Sequence, residues 1–123
     1  MKSYQASEPG KPLELREMET PEPNGKEVLV KTIACGVCHS DVHIHSGAFD
    51  LGGGNSLPVP VPSPFTLGHE IFGEVVAIGP DAANINIGDK RIVYPWIGCS
   101  NCDICTSGDE HLCNSGPVIG VMQ

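Results

Sequence analysis

Cys99-Ser100-Asn101-Cys102-Asp103-Ile104-Cys105-Thr106-Ser107-Gly108-Asp109-Glu110-His111-Leu112-Cys113 holds four of the six cysteines of this sequence. The short spacing between the first three lets a tight turn aim successive sulfur atoms at one ion. Four thiolates complete a tetrahedral shell around zinc, at about 2.3 Å per bond, and leave no position for a substrate. The stretch therefore predicts a structural zinc site. The alternative is two disulfides, which need an oxidising compartment that nothing in the sequence indicates.

A second group of candidate ligands lies in two short segments, Gly36-Val37-Cys38-His39-Ser40-Asp41-Val42-His43 and Gly68-His69-Glu70. Cys35 and Cys38 with a histidine could form another structural zinc knuckle, and a single histidine is more often an ordinary polar residue than a ligand. The combination of Cys, His, Ser, Asp and Glu favours a catalytic zinc. Such a site needs three protein ligands and one open position, with a carboxylate that orients a ligand.

The rest of the chain predicts short strands joined by turns. One or two strands are expected between Lys2 and Glu19, and others at 27–33, 70–78 and 90–94. A helical turn is expected at 40–45, with Ser40 near its N-cap. Residues 46–64 are predicted to be loop, in which prolines at every second position from 58 to 64 favour an extended, polyproline-like backbone. The expected fold is a small β-barrel with an inserted cysteine-rich lobe.

Length and composition fit one globular domain and exclude several classes of function. The chain has 123 residues, of which 40% are apolar and 18% are charged. Seven Lys+Arg against 15 Asp+Glu give a net charge of −8, which argues against nucleic acid or an anionic membrane as a partner. The polar start and the lack of an apolar run of about 20 residues argue against a secretory signal or a membrane helix. We therefore expect a cytoplasmic protein.

Several motifs together resemble a known family. The segment Gly36–His43, Gly68-His69-Glu70, Gly88-Asp89 and the four cysteines occur in that order. They resemble the N-terminal GroES-like catalytic domain of zinc-dependent medium-chain alcohol dehydrogenases over nearly the whole chain. The resemblance implies a mainly β, GroES-like β-barrel over residues 1–123, with short helices and a structural zinc lobe at about 95–115. We call residues 95–115 the cysteine lobe.

The resemblance also implies a role for each candidate residue. Cys38 and His69 would be catalytic-zinc ligands, with Glu70 beside the metal as a transient ligand. Asp41 would orient His69, and Ser40 would take the proton of the alcohol and pass it through the cofactor ribose to His43. His39 would lie near the cofactor pyrophosphate. The structural zinc would be held by Cys99, Cys102, Cys105 and Cys113.

The remaining candidates have weaker assignments. Trp96 resembles an aromatic residue of the substrate pocket in some members, and core packing is an equal alternative. Cys35 matches no ligand position, so we expect it to be buried and inert. His45 and His111 are expected to be surface histidines without a role.

The implied reaction converts an alcohol to an aldehyde or ketone, or the reverse, with hydride transfer to or from NAD(P). The partners implied are a small alcohol or aldehyde and further copies of the chain. The sequence contains no G-x-G-x-x-G motif, so the nucleotide-binding domain is expected to be absent. The family's third catalytic-zinc ligand, a cysteine, lies beyond residue 123. We therefore expect an N-terminal part of an enzyme that is inactive alone, binds its catalytic zinc weakly and exposes an apolar face.

Two other classes of function compete with the enzyme. A GroES-like barrel can also serve as a non-enzymatic zinc-binding scaffold or binding module. Such a scaffold has no use for Ser40, Asp41, His43, His69 and Glu70, which favours the enzyme. A zinc-finger protein that binds nucleic acid is disfavoured by the charge of −8 and the lack of a basic helix.

Overall fold

The computed structural model describes residues 1–59 and 63–121. These residues form a mainly β structure with short helices. Its strands are β1 Lys2–Gln5, β2 Glu14–Glu17, β3 Val28–Gly36, β4 Ala48–Gly52, β5 Asn55–Pro58, β6 Glu70–Ile78 and β7 Lys90–Val93. Its helices are α1 His39–Ser46 and α2 Asp103–Thr106, and a 3-10 turn covers Glu110–Leu112.

The strands pair in three antiparallel sheets. The largest has the order β3-β6-β7, while β1 pairs with β2 and β4 pairs with β5. Single bridges join Ala6 to Phe65 and Trp96 to Val118. Across the described residues these ladders remain open sheets and do not close into one continuous barrel. The predicted mainly β fold with short helices and a four-cysteine lobe is confirmed.

Most predicted elements match observed ones, and one prediction is wrong. The strands expected at 27–33, 70–78 and 90–94 are β3, β6 and β7, and the helical turn at 40–45 lies within α1. The loop expected at 46–64 instead contains the β4–β5 hairpin.

The residue composition of the hairpin did not predict its strands. Its strands lack β-branched residues, the usual signal for strands. Gly53 and Gly54 form the turn with φ values of 60° and 80°, a conformation that glycine adopts without steric cost. The polyproline prediction falls partly on Pro60 and Pro62, which lie outside the described residues.

The buried core is small, and a large apolar surface is exposed. The buried hydrophobic residues are Ile44, Phe65, Val75, Cys105 and Val118. Beside the largest sheet lies an open cavity of about 800 Å³, lined by Val28, Val30 and Ile92 among others. Ile92 is 82% exposed. An exposed apolar face was expected from the sequence, and this sheet has one.

Within residues 1–59 and 63–121, none of the helices is long and apolar enough to cross a bilayer.

Candidate metal centres

The backbone of the cysteine lobe turns tightly enough to bring its four sulfur atoms together. Cys102 is the N-cap of α2, and the Thr106 N–H donates to its carbonyl oxygen at 2.9 Å. The Cys113 N–H donates to the Glu110 carbonyl at 3.1 Å, which closes the following 3-10 turn. Gly98 leaves the space that this packing needs, because a Cβ there would lie 2.7 Å from Cys105 Sγ. These short-range contacts place all four thiols at one point.

The sulfur positions fit a tetrahedral metal site. Cys102 Sγ lies 3.5 Å from Cys105 Sγ and 3.9 Å from Cys113 Sγ, and Cys99 Sγ lies 3.9 Å from Cys105 Sγ. A tetrahedron with zinc–sulfur bonds of about 2.3 Å has edges of about 3.8 Å. All four sulfur atoms lie within 4.8 Å of one another. The lobe therefore has the donor set and the size that zinc requires.

The pKa values of the lobe thiols are shifted in opposite directions by backbone hydrogen bonds and by burial. The backbone N–H groups of Ser115 and Cys99 lower the pKa of Cys113 to about 6, and those of Asn101 and Cys102 lower the pKa of Cys99. Burial raises the pKa of the Cys105 thiol to about 12. A thiol must lose its proton to bind metal. Cys113 and Cys99 therefore lose their protons more easily for metal binding. Cys105 needs the positive charge of a bound cation to offset the cost of ionising a buried thiol.

The second group forms where β3 ends, α1 begins and β6 begins. Cys38 is the N-cap of α1, and Glu70 is the first residue of β6. In the β3–β6 ladder Gly36 pairs with Glu70, which brings the two predicted segments side by side. One donor atom from each of Cys38, His69 and Glu70 lies within 4.8 Å of the others. We call this group the Cys38 site. Its sulfur, imidazole and carboxylate donors are all types that zinc accepts.

Asp41 connects the helix to this site. Its Oδ2 accepts a hydrogen bond from the Cys38 N–H at 2.9 Å, which caps the start of α1. Its Oδ1 lies 3.2 Å from His69 Nδ1, although the pair misses hydrogen-bond geometry. Both of these atoms are buried and have no other hydrogen-bond partner among the described residues. The carboxylate therefore lies beside the His69 ring, and the orienting role that the resemblance implies for Asp41 stays a prediction.

Ser40 lies on the opposite side of the His69 ring. Its hydroxyl oxygen is 3.4 Å from His69 Nε2. Hydrogen bonds from the Ser40 hydroxyl and backbone, followed by one from His69, lower the pKa of Cys38. A lowered thiol pKa favours the thiolate that a metal site needs.

The two other histidines assigned from the sequence stack on each other along α1. The ring centroids of His39 and His43 are 4.4 Å apart, and that of Phe49 lies 4.9 Å from His43. His39 is exposed and His43 is half-buried. His43 thus packs against Phe49 of the β4–β5 hairpin, a neighbour for which the sequence has no signal.

Gly36 is a second feature that sequence reasoning missed. A Cβ at this position would collide with the Glu70 carboxylate, so the missing side chain leaves room for Glu70 to lie over the strand. The signal was present in the sequence as a glycine at the end of a strand, but its partner depends on the β3–β6 register.

The weaker assignments have mixed outcomes. Cys35 was expected to be buried, and this is wrong, because its side chain is exposed at the end of β3. Trp96 is 45% exposed and forms a bridge with Val118, so it does not pack in the core. His45 Nε2 lies 2.7 Å from the Lys11 carbonyl oxygen and ties α1 to the N-terminal segment. His111 is exposed.

Comparisons with known proteins agree with this geometry. A family profile described as "Alcohol dehydrogenase GroES-like domain" matches residues 24–123. The NAD-dependent alcohol dehydrogenase of Saccharolobus solfataricus is 42% identical over 98% of this chain and 35% of its own length. The L-threonine 3-dehydrogenase of Pyrococcus horikoshii is 34% identical over 98% of this chain and 33% of its own length.

The fold comparison gives the same result. The structure of a cobalt- and zinc-bound thermostable alcohol dehydrogenase from Pyrobaculum aerophilum aligns with a TM-score of 0.81 at 29% identity. The alignment covers 100% of this chain and 35% of that one. The chain thus spans about a third of the length of the curated relatives it matches.

Proposed function

Because the chain belongs to the alcohol dehydrogenase GroES-like domain family, we propose that it is the catalytic portion of a zinc-dependent alcohol dehydrogenase. The reaction is the oxidation of an alcohol to an aldehyde or ketone, or the reverse, with hydride transfer to or from NAD(P). One observation supports this most directly: Cys38, His69 and Glu70 converge within 4.8 Å, with the Asp41 carboxylate 3.2 Å behind His69.

In this proposal Cys38 and His69 hold a catalytic zinc ion, and Glu70 lies beside it as a transient ligand. The bound ion supplies Lewis-acid polarisation of the substrate oxygen. Asp41 fixes the ring of His69 so that Nε2, the nitrogen facing Ser40, is directed at the site. Because Asp41 also caps α1, the position of Cys38 and the orientation of His69 depend on one carboxylate.

The proton of the alcohol leaves through α1. Ser40, whose hydroxyl is 3.4 Å from His69 Nε2, accepts it and passes it toward His43. No hydrogen bond joins Ser40 to His43 among the described residues, so an intervening hydroxyl is needed, and the cofactor ribose would supply one. In this proposal the exposed His39, which stacks on His43, meets the cofactor pyrophosphate. The half-buried His43 then releases the proton to solvent.

The proposal assigns a different role to each part of the chain. Residues 1–123 act as one catalytic domain, in which the cysteine lobe binds a structural zinc through Cys99, Cys102, Cys105 and Cys113. The nucleotide half of NAD(P) has no binding motif here, so we assign it to a domain outside these residues. We expect no dehydrogenase activity from the 123-residue chain alone.

The environment of the protein is part of the proposal. A small alcohol or aldehyde is the substrate, and a cytoplasmic location fits six free cysteines. The exposed apolar sheet favours association with further copies of the chain. Light scattering at high protein concentration should therefore show particles larger than a monomer.

Cobalt substitution tests the proposal on the chain as it is. Cobalt replaces zinc in sites of this kind, and its visible absorption bands report ligand exchange at an open coordination position. We expect part of the cobalt spectrum of the chain to change when a primary alcohol is added. The Cys38→Ser variant should lose this response, and the matched Cys102→Ser variant in the lobe should retain it. A scaffold whose metal is purely structural would give a spectrum that alcohol leaves unchanged, and this result would contradict the proposal.

A further inference from the structure

The backbone just before His69 has a close neighbour that the proposed mechanism does not use. Residues 118–121 form a tight turn, in which the Val121 N–H donates to the Val118 carbonyl oxygen at 3.1 Å. Gly120 is the third residue of this turn and has a φ of 71°, a positive value that favours glycine at this position. Gly120 is also buried. We call residues 118–121 the Gly120 turn.

The Gly120 turn contacts the peptide that joins Gly68 to His69. A Cβ on Gly120 would collide with the Gly68 carbonyl oxygen and would lie 3.1 Å from the His69 backbone nitrogen. A residue without a side chain is therefore needed for so close an approach. Cys35 Sγ also lies beside Gly68, at 2.9 Å from the place that a Cβ would occupy. Strand β3 and the Gly120 turn thus both pack against the residue that precedes His69.

The Gly120 turn is held in place by contacts that need no metal ion. The Ile119 N–H donates to the Pro95 carbonyl oxygen at 3.0 Å. Val118 is 4% exposed and belongs to the core, and it forms a bridge with Trp96. None of these contacts involves residues 99–113, the stretch that carries the four sulfur atoms of the lobe. The turn therefore gives the peptide before His69 a fixed surface to pack against, whether or not metal is bound.

We propose that Gly120 is a positioning residue for His69 and acts through the peptide that joins Gly68 to His69. The inference rests on the proposed function, in which His69 is a ligand of the catalytic metal. A side chain at position 120 would push the turn and the peptide apart by on the order of 1 Å, whereas a ligand must be held within about 0.5 Å of its working geometry. The His69 ring lies 3.2 Å from Asp41 Oδ1 and 3.4 Å from Ser40 Oγ, so a shifted backbone would change both contacts.

Four variants separate the position of His69 from an ordinary loss of stability. Gly120→Ala adds both the collision and the strain of a positive φ, and Gly120→Asn adds the same collision with less strain, because asparagine tolerates positive φ better. Gly116→Ala adds a collision of the same kind, with the Ile97 carbonyl oxygen instead. Gly10→Ala adds the strain alone, since Gly10 has a φ of 69° and no atom within 4 Å of the added Cβ. The last two variants are the matched controls.

NMR measures the position of the His69 ring without a metal at the Cys38 site. With one equivalent of zinc for the lobe, the wild type should show a nuclear Overhauser contact between the His69 ring and the Ser40 side chain. The folded Gly120 variants should lose this contact, while Gly116→Ala and Gly10→Ala should keep it even where they lower the free energy of unfolding as much.

Two results would overturn the inference. One is a contact that is absent from the wild type or retained in a folded Gly120 variant. The other is complete unfolding of both Gly120 variants beside a folded Gly116→Ala, because the turn would then support the fold as a whole and not His69 in particular.

Cobalt binding separates this inference from the proposed function. In Gly120→Ala the cobalt affinity of the Cys38 site should fall by about 10–100-fold, the range for loss of a residue that supports a metal ligand, and the alcohol-sensitive bands should shift. The two controls should match the wild type. If Gly120→Ala loses the NMR contact but the wild-type bands never respond to alcohol, the proposed function fails and the positioning of His69 stands. If the wild-type bands respond and Gly120→Ala binds cobalt as tightly, the positioning is wrong and the proposed function stands.

Discussion

The cysteine lobe and the Cys38 site are both candidate metal centres, but they are assembled in opposite ways. The lobe takes all its donors from residues 99–113, and local turns set their positions. The Cys38 site joins a helix N-cap to the start of a strand and depends on the β3–β6 register. The first is closed by four sulfur atoms, whereas the second mixes donor types and has a hydroxyl group beside it. Stability and chemistry are thus assigned to separate parts of the chain.

The two centres should also respond differently to damage. The lobe has little packing of its own, and Cys105 is its buried cysteine, so metal binding and local folding should be one event. The Cys38 site is built on α1 and on the longest strand pair, which the backbone ladder supports without metal. Removing a ligand of the lobe should therefore unfold the lobe. Removing a ligand of the Cys38 site should abolish metal binding there and leave the fold in place.

The largest effect is expected from Cys105→Ser. Structural zinc binding is worth roughly 10–16 kcal/mol in zinc-finger peptides at pH 7, so loss of one thiolate should remove the zinc and unfold the lobe. Elemental analysis should show about one zinc less per chain, and limited proteolysis should cut within residues 99–113. The exposed His111→Ala variant is the matched control and should keep both the metal and the protection. Unchanged zinc content in Cys105→Ser would contradict the assignment of the lobe.

His69→Ala should have the next largest effect, and on metal binding alone. It removes a proposed ligand of the Cys38 site. Loss of a residue that only orients a ligand costs about 10–100-fold in metal affinity, so cobalt affinity at this site should fall by more than that. The lobe zinc should remain, and the free energy of unfolding should change by no more than about 1 kcal/mol, because the ring is not part of the core. A titration of the alcohol-sensitive cobalt bands, with denaturant unfolding in parallel, measures both. Loss of the lobe zinc in this variant would show that the two centres are not independent.

The same contrast explains how far the sequence could predict the molecule. The lobe was predictable because its donors are close together in the chain. Cys38, His69 and Glu70 were found through a family resemblance, since spacing alone left a structural knuckle open. Strand β6 was predicted with its observed limits because its apolar and β-branched residues lie between turn signals. The β4–β5 hairpin, the exposure of Cys35 and the contact between Gly36 and Glu70 depend on which strands pair, and single-sequence patterns do not determine that.

Asp41→Asn tests the link between the helix and the Cys38 site. Asparagine keeps an oxygen for the Cys38 N–H but loses the charge that faces His69, so cobalt affinity should fall by about 10–100-fold while the helix remains. Asp41→Ala should lose the same affinity and also the cap of α1, at about 1 kcal/mol of folding free energy. Cobalt titration and denaturant unfolding of both variants separate the two functions of the carboxylate. If asparagine binds cobalt as tightly as aspartate, the orienting role is wrong.

The smallest effect, and the finest test of how the fold shapes this site, is expected from Gly36→Ala. The new methyl group would collide with the Glu70 carboxylate, so Glu70 must turn away and the Cys38 site would lose its carboxylate donor. Cobalt affinity should fall by less than about tenfold, or 1.4 kcal/mol. Gly36 does not have a positive φ, so alanine fits its backbone conformation. Alanine also restricts the unfolded chain. This stabilising effect offsets part of the collision and keeps the free energy of unfolding nearly unchanged.

Two comparisons show whether the loss acts through Glu70. Gly88→Ala is the matched control, because Gly88 has a φ of 93° and no atom within 4 Å of the added Cβ. It should lower stability through backbone strain and leave cobalt affinity unchanged. In a Glu70→Ala background, Gly36→Ala should cause no further loss of affinity, since the side chain it displaces is already gone. An additive loss in the double variant would mean that Gly36 supports the site through the backbone of β3 and not by making room for Glu70.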